Sequence, residues 1–243
     1  MDTSTSETFS PLIQESAPLR NKIIQSLRRA IETGALQPGT RLVENDLCKQ
    51  LKVSRTSLRE ALRQLQAEGI LTNTNNRGLT VATVTLADAE NIYRLRGVIE
   101  PLVVQQFIEN ANAVETKALT AQGEIVKSAY RDGSAEDIVV SKRDFYDLIC
   151  SGARNAIAFE ILKKLTLLTS PLRRRSVVQP NRRLQSIDEI DAIMAAIARG
   201  DSVAACAAAE RHVSHSARSV FQMLEKEGRT AKSTKAKATI PAT

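Results

Sequence analysis

From residue 86 to about residue 226 apolar side chains recur every three or four positions, and no stretch alternates them every second residue. A period near 3.6 places such residues on one face of a helix, whereas a period of two belongs to a strand. Ala89, Ile92, Tyr93, Val103 and Phe107 fall on this spacing and outline one long helix. Further helices are expected at 114–131, 135–152, 155–169, 184–199 and 202–226. The breaks between them carry turn formers, including Gly133-Ser134, Gly152, the stretch from Pro171 to Pro180, and Gly200-Asp201. Six helices in this length predict an antiparallel all-helical bundle. Only 10 Gly and 7 Pro in 243 residues agree with long helices. With aromatics at 3% and no Trp, the core must rest on Leu, Ile, Val and Ala.

Residues 18–84 read differently. Leu19, Ile23, Leu27 and Ile31 are four apart and predict a first helix over 18–34, with Gly34 just past its end. Pro38-Gly39 marks a tight turn, and Arg41-Leu42-Val43 is expected as a short strand. A second helix opens at Glu44, with Leu47 and Leu51 facing inward. Ser54 is placed to cap a third helix, in which Leu58, Ala61, Leu62 and Leu65 form an apolar stripe. Arg55, Arg59 and Arg63 share a different stripe of that helix, and Ser54, Thr56 and Ser57 crowd its first turn with hydroxyls. Such a helix offers one face to a core and a cationic, hydrogen-bonding face to a partner. Its free N–H groups suit phosphate, and forked guanidinium groups suit guanine edges or phosphate oxygens. Taken alone, the stripe is equally a solvated amphipathic face. Residues 70–72 and 77–81 then read as two strands around the polar turn Asn73 to Asn76, a hairpin with Arg77 at its tip. The fold class expected is therefore mainly α: an N-terminal winged helix-turn-helix with a small β-hairpin wing, followed by the bundle.

The charge distribution supports nucleic acid as partner. The chain carries a formal +7, yet residues 85–225 hold 18 charges of each sign. Residues 18–84 carry 11 Lys/Arg against 5 Asp/Glu, and residues 226–243 carry 5 against 1. Basicity concentrated in one small module and a tail is the electrostatic footprint of DNA contact. Residues 1–17 and 227–243 are expected to be a disordered arm and a disordered basic tail. Cys48, Cys150 and Cys206 are widely spaced without a C-x-x-C pair, which predicts reduced thiols and a cytoplasmic chain with no secretion signal and no membrane span. No nucleotide-binding glycine loop and no Ser/His/Asp order is present, and His212 and His215 are the only histidines, so an enzyme is not expected.

The run from Glu32 to Leu47, then Val53-Ser-Arg-Thr-Ser-Leu-Arg-Glu-Ala-Leu-Arg-Gln-Leu65, Glu68-Gly-Ile-Leu and Arg77-Gly78, resembles the winged helix-turn-helix of GntR-type bacterial transcription regulators. Ser57 stands where many members have Pro. The resemblance implies that Ser54, Arg55, Thr56, Ser57 and Arg59 contact DNA, with Arg55 and Arg59 reading bases, and that Arg77 and Gly78 form the wing tip. Residues 85–226 resemble the all-helical FCD effector domain through Arg94-Leu-Arg-Gly-Val-Ile-Glu-Pro-Leu, Phe145-Tyr-Asp-Leu-Ile with Asn155, and Ile193 to Asp201 followed by Ala209-Glu-Arg-His212. The implied function is a homodimeric regulator on an inverted-repeat double-stranded DNA operator, controlled by a small molecule.

Many FCD domains hold a divalent metal with one Asp and three His. Aligned through Asn155 and Gly200-Asp201, Lys142 falls at the Asp position, Tyr146 at the first His and Ile190 at the second, leaving His212. An ammonium group and a hydrocarbon cannot complete that shell, so no metal and no cofactor are expected. A His212/His215 pair one turn apart keeps a metal-dependent regulator as an alternative. Arg96 matches a pocket-facing position, and Arg96, Lys142, Tyr146 and His212 are expected around one cavity. The residues allow two readings: an anionic small ligand, such as an organic acid, or an internal pair such as Arg96 with Glu100 in a constitutive regulator with a degenerate pocket. The Arg173-Arg174-Arg175 run is expected on the surface or at a dimer rim, with one Arg able to reach the pocket.

Overall fold

The computed structural model describes residues 17–74 and 78–237. The N-terminal module consists of α1 (Ala17–Thr33), α2 (Glu44–Leu51), α3 (Arg55–Ala67), β1 (Leu71–Thr74) and β2 (Gly78–Val81). Each helix forms where the sequence places its apolar stripe. Ile23, Ile24, Leu27 and Ile31 of α1 pack on Leu58, Leu62 and Leu65 of α3, and all are buried. Burying one such side chain contributes about 1.5–3 kcal/mol. Lys52 closes α2 in the left-handed region at φ 54° and sends its N–H to the Cys48 carbonyl. Ser54 then opens α3, its hydroxyl accepting from the Ser57 N–H at 3.2 Å. β1 and β2 pair antiparallel with Leu71 opposite Val81 and Thr74 opposite Gly78. The expected strand at 41–43 is reduced to a single bridge from Arg41 to Thr80, because Glu44 already begins α2 and leaves no length for a ladder.

The C-terminal unit is a helical bundle of α4 (Leu86–Asn110), α5 (Ala113–Asp132), α6 (Ala135–Gly152), α7 (Ala156–Leu168), α8 (Ser170–Ser176), α9 (Pro180–Ala198) and α10 (Ser202–Lys237). Thr85, Asn112 and Ser134 start α4, α5 and α6 with capping boxes, each side chain exchanging hydrogen bonds with the third helical residue. Val104, Phe107, Leu119, Phe145, Ile149 and Ile190 fill the core. Three boundaries depart from the sequence reading. The stretch from Pro171 to Pro180 holds a seventh helix, α8, and α9 begins at Pro180 rather than 184. Both prolines sit in first turns, where the missing N–H costs nothing. The third departure is α10, which continues past residue 226 to Lys237. The expected arm lies outside the described residues up to 16, and the tail does from 238 on.

The two units are joined by more than the 82–85 segment. Leu167 of α7 is buried in the N-terminal core among Ile31, Ile70 and Val81. Arg143 of α6 reaches Glu32 of α1 at 2.9 Å. Arg174 of α8 donates to the Thr33 carbonyl at the C-terminal end of α1, where a cation is favoured by the helix dipole.

Candidate DNA interface and effector cavity

On the outer side of α3, Ser54, Arg55, Thr56, Arg59 and Arg63 are exposed, and Ser57 is half-buried. The opposite face, Leu58, Ala61, Leu62 and Leu65, is closed against α1. The helix therefore presents its cationic stripe outward because its apolar stripe is fully used. Ser54 Oγ donates to Ser57 Oγ at 3.0 Å, which orders the hydroxyls of the first turn. Arg59 Nε donates to Glu44 Oε2 at 2.8 Å, tying the stripe to the first turn of α2. Gly78 is exposed at φ +71° at the start of β2, and Arg77 lies outside the described residues.

A second site lies between the two units. A cavity of about 250 Å³ is walled by α4, α6, α7 and α8 on one side and by α1 on the other. Arg96, Lys142 and Tyr146 all line it, as the sequence reading expects. Seven Lys or Arg side chains and three acidic ones form its wall, with Phe159, Leu162 and Leu167 as an apolar flank. Arg96 is 1% exposed and donates from Nε to Glu100 Oε1 at 2.7 Å, so the internal pair is formed. Burial opposes both charges, yet each holds the other ionised: Glu100 lies below the usual carboxylate range and Arg96 above its ordinary value. The pair is incomplete. Arg96 Nη1, Glu100 Oε2 and the Tyr146 hydroxyl are buried without a well-formed hydrogen bond, the phenol lying near enough to the Glu100 carboxylate to interact with it. Burial and the Glu100 charge push the Tyr146 phenol well above its usual value.

Two further cations face this space. Arg173, 8% exposed, lines the cavity and donates to the Thr166 carbonyl, and no carboxylate pairs with it among the described residues. Burial, then Arg96, lowers its pKa. Arg173 is thus the one Arg of the run that reaches the pocket, carried inward by the turn of α8. Lys142 is 4% exposed, and burial together with Arg173 takes its ammonium well below the ordinary value. Its Nζ sits 2.8 Å from His212 Nε2. Burial pushes the Asp147 carboxyl up to about 6.

His212 does not line the cavity. It is fully buried behind Lys142, with Nδ1 2.6 Å from Glu189 Oε2. Glu189 also takes both Nη atoms of Arg182 at 2.7 Å and Nδ1 of His215 at 2.7 Å. Burial works against that carboxylate, but His212 and Arg182 bring it down to about 2. Burial and the Lys142 charge push His212 down to about 4, so the ring is neutral at pH 7. A neutral ring with the proton on Nδ1 donates to Glu189 and accepts from Lys142, which satisfies all three groups.

Two family comparisons fit this geometry. The model for bacterial regulatory proteins of the gntR family matches residues 19–81, and the FCD domain model matches residues 91–215. The chain belongs to the GntR family and carries an FCD domain. It is 28% identical over 144 residues to the HTH-type transcriptional regulator YdhC of Bacillus subtilis, a match covering 59% of this chain and 64% of that protein. It is 28% identical over 150 residues to the HTH-type transcriptional regulator McbR of Escherichia coli, covering 62% and 68%. The solved structure of E. coli McbR/YncC superposes with a TM-score of 0.78 at 23% identity, over 86% of this chain and all of that one. This GntR-family chain is thus a DNA-binding transcriptional regulator, and its relatives are regulators rather than enzymes. Among its described residues no helix is long and apolar enough to cross a membrane.

The metal of the FCD resemblance does not fit the regulator's residues. The His212 nitrogen that would face an ion takes a hydrogen bond from Lys142, and Ile190 is fully buried in the core without a donor atom. Sequence reasoning missed Glu189, one position from Ile190, because the alignment asked for a ligand at 190 and stopped there. It also missed Arg28 and Glu32, which belong to the other unit and follow from no pattern within the bundle. Asp147, whose helical position is expected to point it away from Lys142 and Tyr146, lines the same cavity.

Proposed function

We propose that this regulator binds an inverted-repeat operator as a homodimer through α3 and the wing, and responds to a small organic acid held between its two units without a metal. The observation that carries the reading is the pairing of an outward cationic stripe, Arg55, Arg59 and Arg63, with a partly open cavity whose cations outnumber its acids. One helix-turn-helix reads only a few base pairs, so two-fold symmetry doubles the contact. On α4, Leu95, Val98 and Leu102 are exposed at helical spacing and offer an apolar stripe for a second copy. A carboxylate fits the Arg173 and Lys142 cations and the unpaired Arg96 Nη1 and Tyr146 hydroxyl. The same cavity supports a second reading, a constitutive regulator, since Arg96 already has Glu100 as counter-charge.

The DNA reading is tested with a duplex selected by the protein from a random pool. Arg55→Ala combined with Arg59→Ala weakens binding by about 2–6 kcal/mol in fluorescence anisotropy, taking about 1–3 kcal/mol per base-reading guanidinium. Unchanged affinity removes α3 from the interface. A thermal-shift series with small carboxylates separates the effector-controlled protein, which is stabilised, from the constitutive one, which is not.

A further inference from the structure

Arg28 belongs to two sites at once. It stands on α1, in the DNA-binding unit, and it lines the cavity whose other walls come from the bundle. Its Nη2 is paired with Glu68 Oε2, while its Nε is buried without a hydrogen-bond partner. Glu68 is the residue that ends α3: its N–H closes the helix on the Gln64 carbonyl, and its other carboxylate oxygen accepts from Gln64 Nε2 at 3.2 Å. One guanidinium therefore separates the cavity from the C-terminal end of the helix that carries Arg55 and Arg59.

The charges divide in the same way. On the bundle side Arg173 and Lys142 have no carboxylate partner among the described residues, only the Thr166 carbonyl and His212. On the α1 side are Arg28 and, at the rim, Arg29, while Glu32 is held by Arg143. A monocarboxylate meets the first group only. A dianion meets both, and its second group competes with Glu68 for Arg28.

Resting on the reading of the cavity as an effector site, we propose that the effector is a short dianion such as a dicarboxylate, shared by both units, and that Arg28 exchanges Glu68 for it. The exchange loosens the end of α3 within the same protomer, so ligand and operator are coupled through α1. The cost of leaving Glu68 is part of the binding equilibrium, and the coupling is reciprocal.

The test uses the full-length protein and the dicarboxylates from malonate to adipate, each against the monocarboxylate of equal chain length, with calorimetric binding and anisotropy on the selected duplex. The diacids bind more tightly than the monoacids, and the best of them changes duplex affinity. Arg28→Met weakens that diacid about tenfold or more and removes its effect on DNA, as expected for a lost charge-assisted contact. Glu68→Gln, which lies outside the cavity and keeps an acceptor for Gln64, strengthens the diacid about threefold to tenfold by freeing Arg28. In the double variant the gain disappears and binding equals that of Arg28→Met. Arg173→Met is the control for the cavity itself and abolishes binding. If Arg173→Met abolishes binding while Glu68→Gln leaves it unchanged or weaker, the cavity reading stands and the exchange is overturned. If no diacid binds, or Arg173→Met leaves binding intact, the cavity reading falls and the exchange with it.

Discussion

His212 and Asp147 are both displaced from their ordinary titration, in directions that give opposite pH dependence. Burial and Lys142 push His212 down to about 4. Between its ordinary value near 6.5 and that point, the unfolded chain takes a proton that the folded one refuses. Stability present above about pH 6.5 is therefore lost as pH falls toward 4, by about 3 kcal/mol in all. Asp147, pushed up to about 6, takes its proton more readily when folded. Its contribution is complete below the ordinary carboxylate value and is lost as pH rises through 6. Urea denaturation at a series of pH values from about 4.5 to 7.5 separates the two. His212→Gln flattens the acid-side loss of stability whatever it costs at pH 7, because the shape of the profile belongs to the proton. An unaltered slope places the acid sensitivity elsewhere. Glu189, held at about 2 when folded, adds its own acid-side loss only as pH falls to the ordinary carboxylate value near 4.5 and below, at the foot of that range.

Among the elements, the end of α1 carries an uncommon constraint. Gly34 has φ +82°, and a Cβ there would fall 2.0 Å from Arg174 Nη1, the guanidinium that caps the Thr33 carbonyl. Gly34→Ala thus strains the backbone and drives Arg174 off the helix end. The expected loss exceeds about 1 kcal/mol, since Ala at positive φ costs more than the entropy it saves. Combining it with Arg174→Ala removes the clash and recovers part of the loss in thermal unfolding; full additivity would mean that the two do not meet. The same elements show what the sequence makes legible. α3 could be read from its cap, its apolar stripe and its Arg stripe, since all three are local. α4 to α6 followed from periodicity and turn residues. The short α8 did not, because Pro171 and Pro180 mark breaks in a pattern search yet serve as first-turn residues in the fold. With α8 hidden, nothing in the sequence singles out Arg173 as the Arg of the run that reaches the pocket.

At the scale of the molecule, the cavity depends on how the two units meet, which the sequence does not encode locally. Arg96, Lys142 and Tyr146 are legible as one set because the FCD resemblance aligns them with pocket and ligand positions, whereas Arg28 and Glu32 enter from α1. A buried apolar tie between the units is Leu167, an α7 side chain 6% exposed within the N-terminal core. Arg143–Glu32 and Arg174–Thr33 add polar ties, but half-exposed ion pairs contribute little on their own, typically about 0–1 kcal/mol. Leu167 is therefore a residue through which the units share stability. Leu167→Ala is expected to cost about 2–5 kcal/mol, the usual range for removing a buried leucine. More tellingly, it separates the unfolding of the small unit from that of the bundle, so the intact protein melts in one calorimetric transition and the variant in two. The cavity loses its α1 wall in the same step. Diacid binding then falls in the variant although the polar bundle residues that face the ligand, Arg96, Lys142, Tyr146 and Arg173, are unchanged. A Leu167→Ala protein that still melts in one step and binds the diacid as before would mean that the units are held together by something other than this contact.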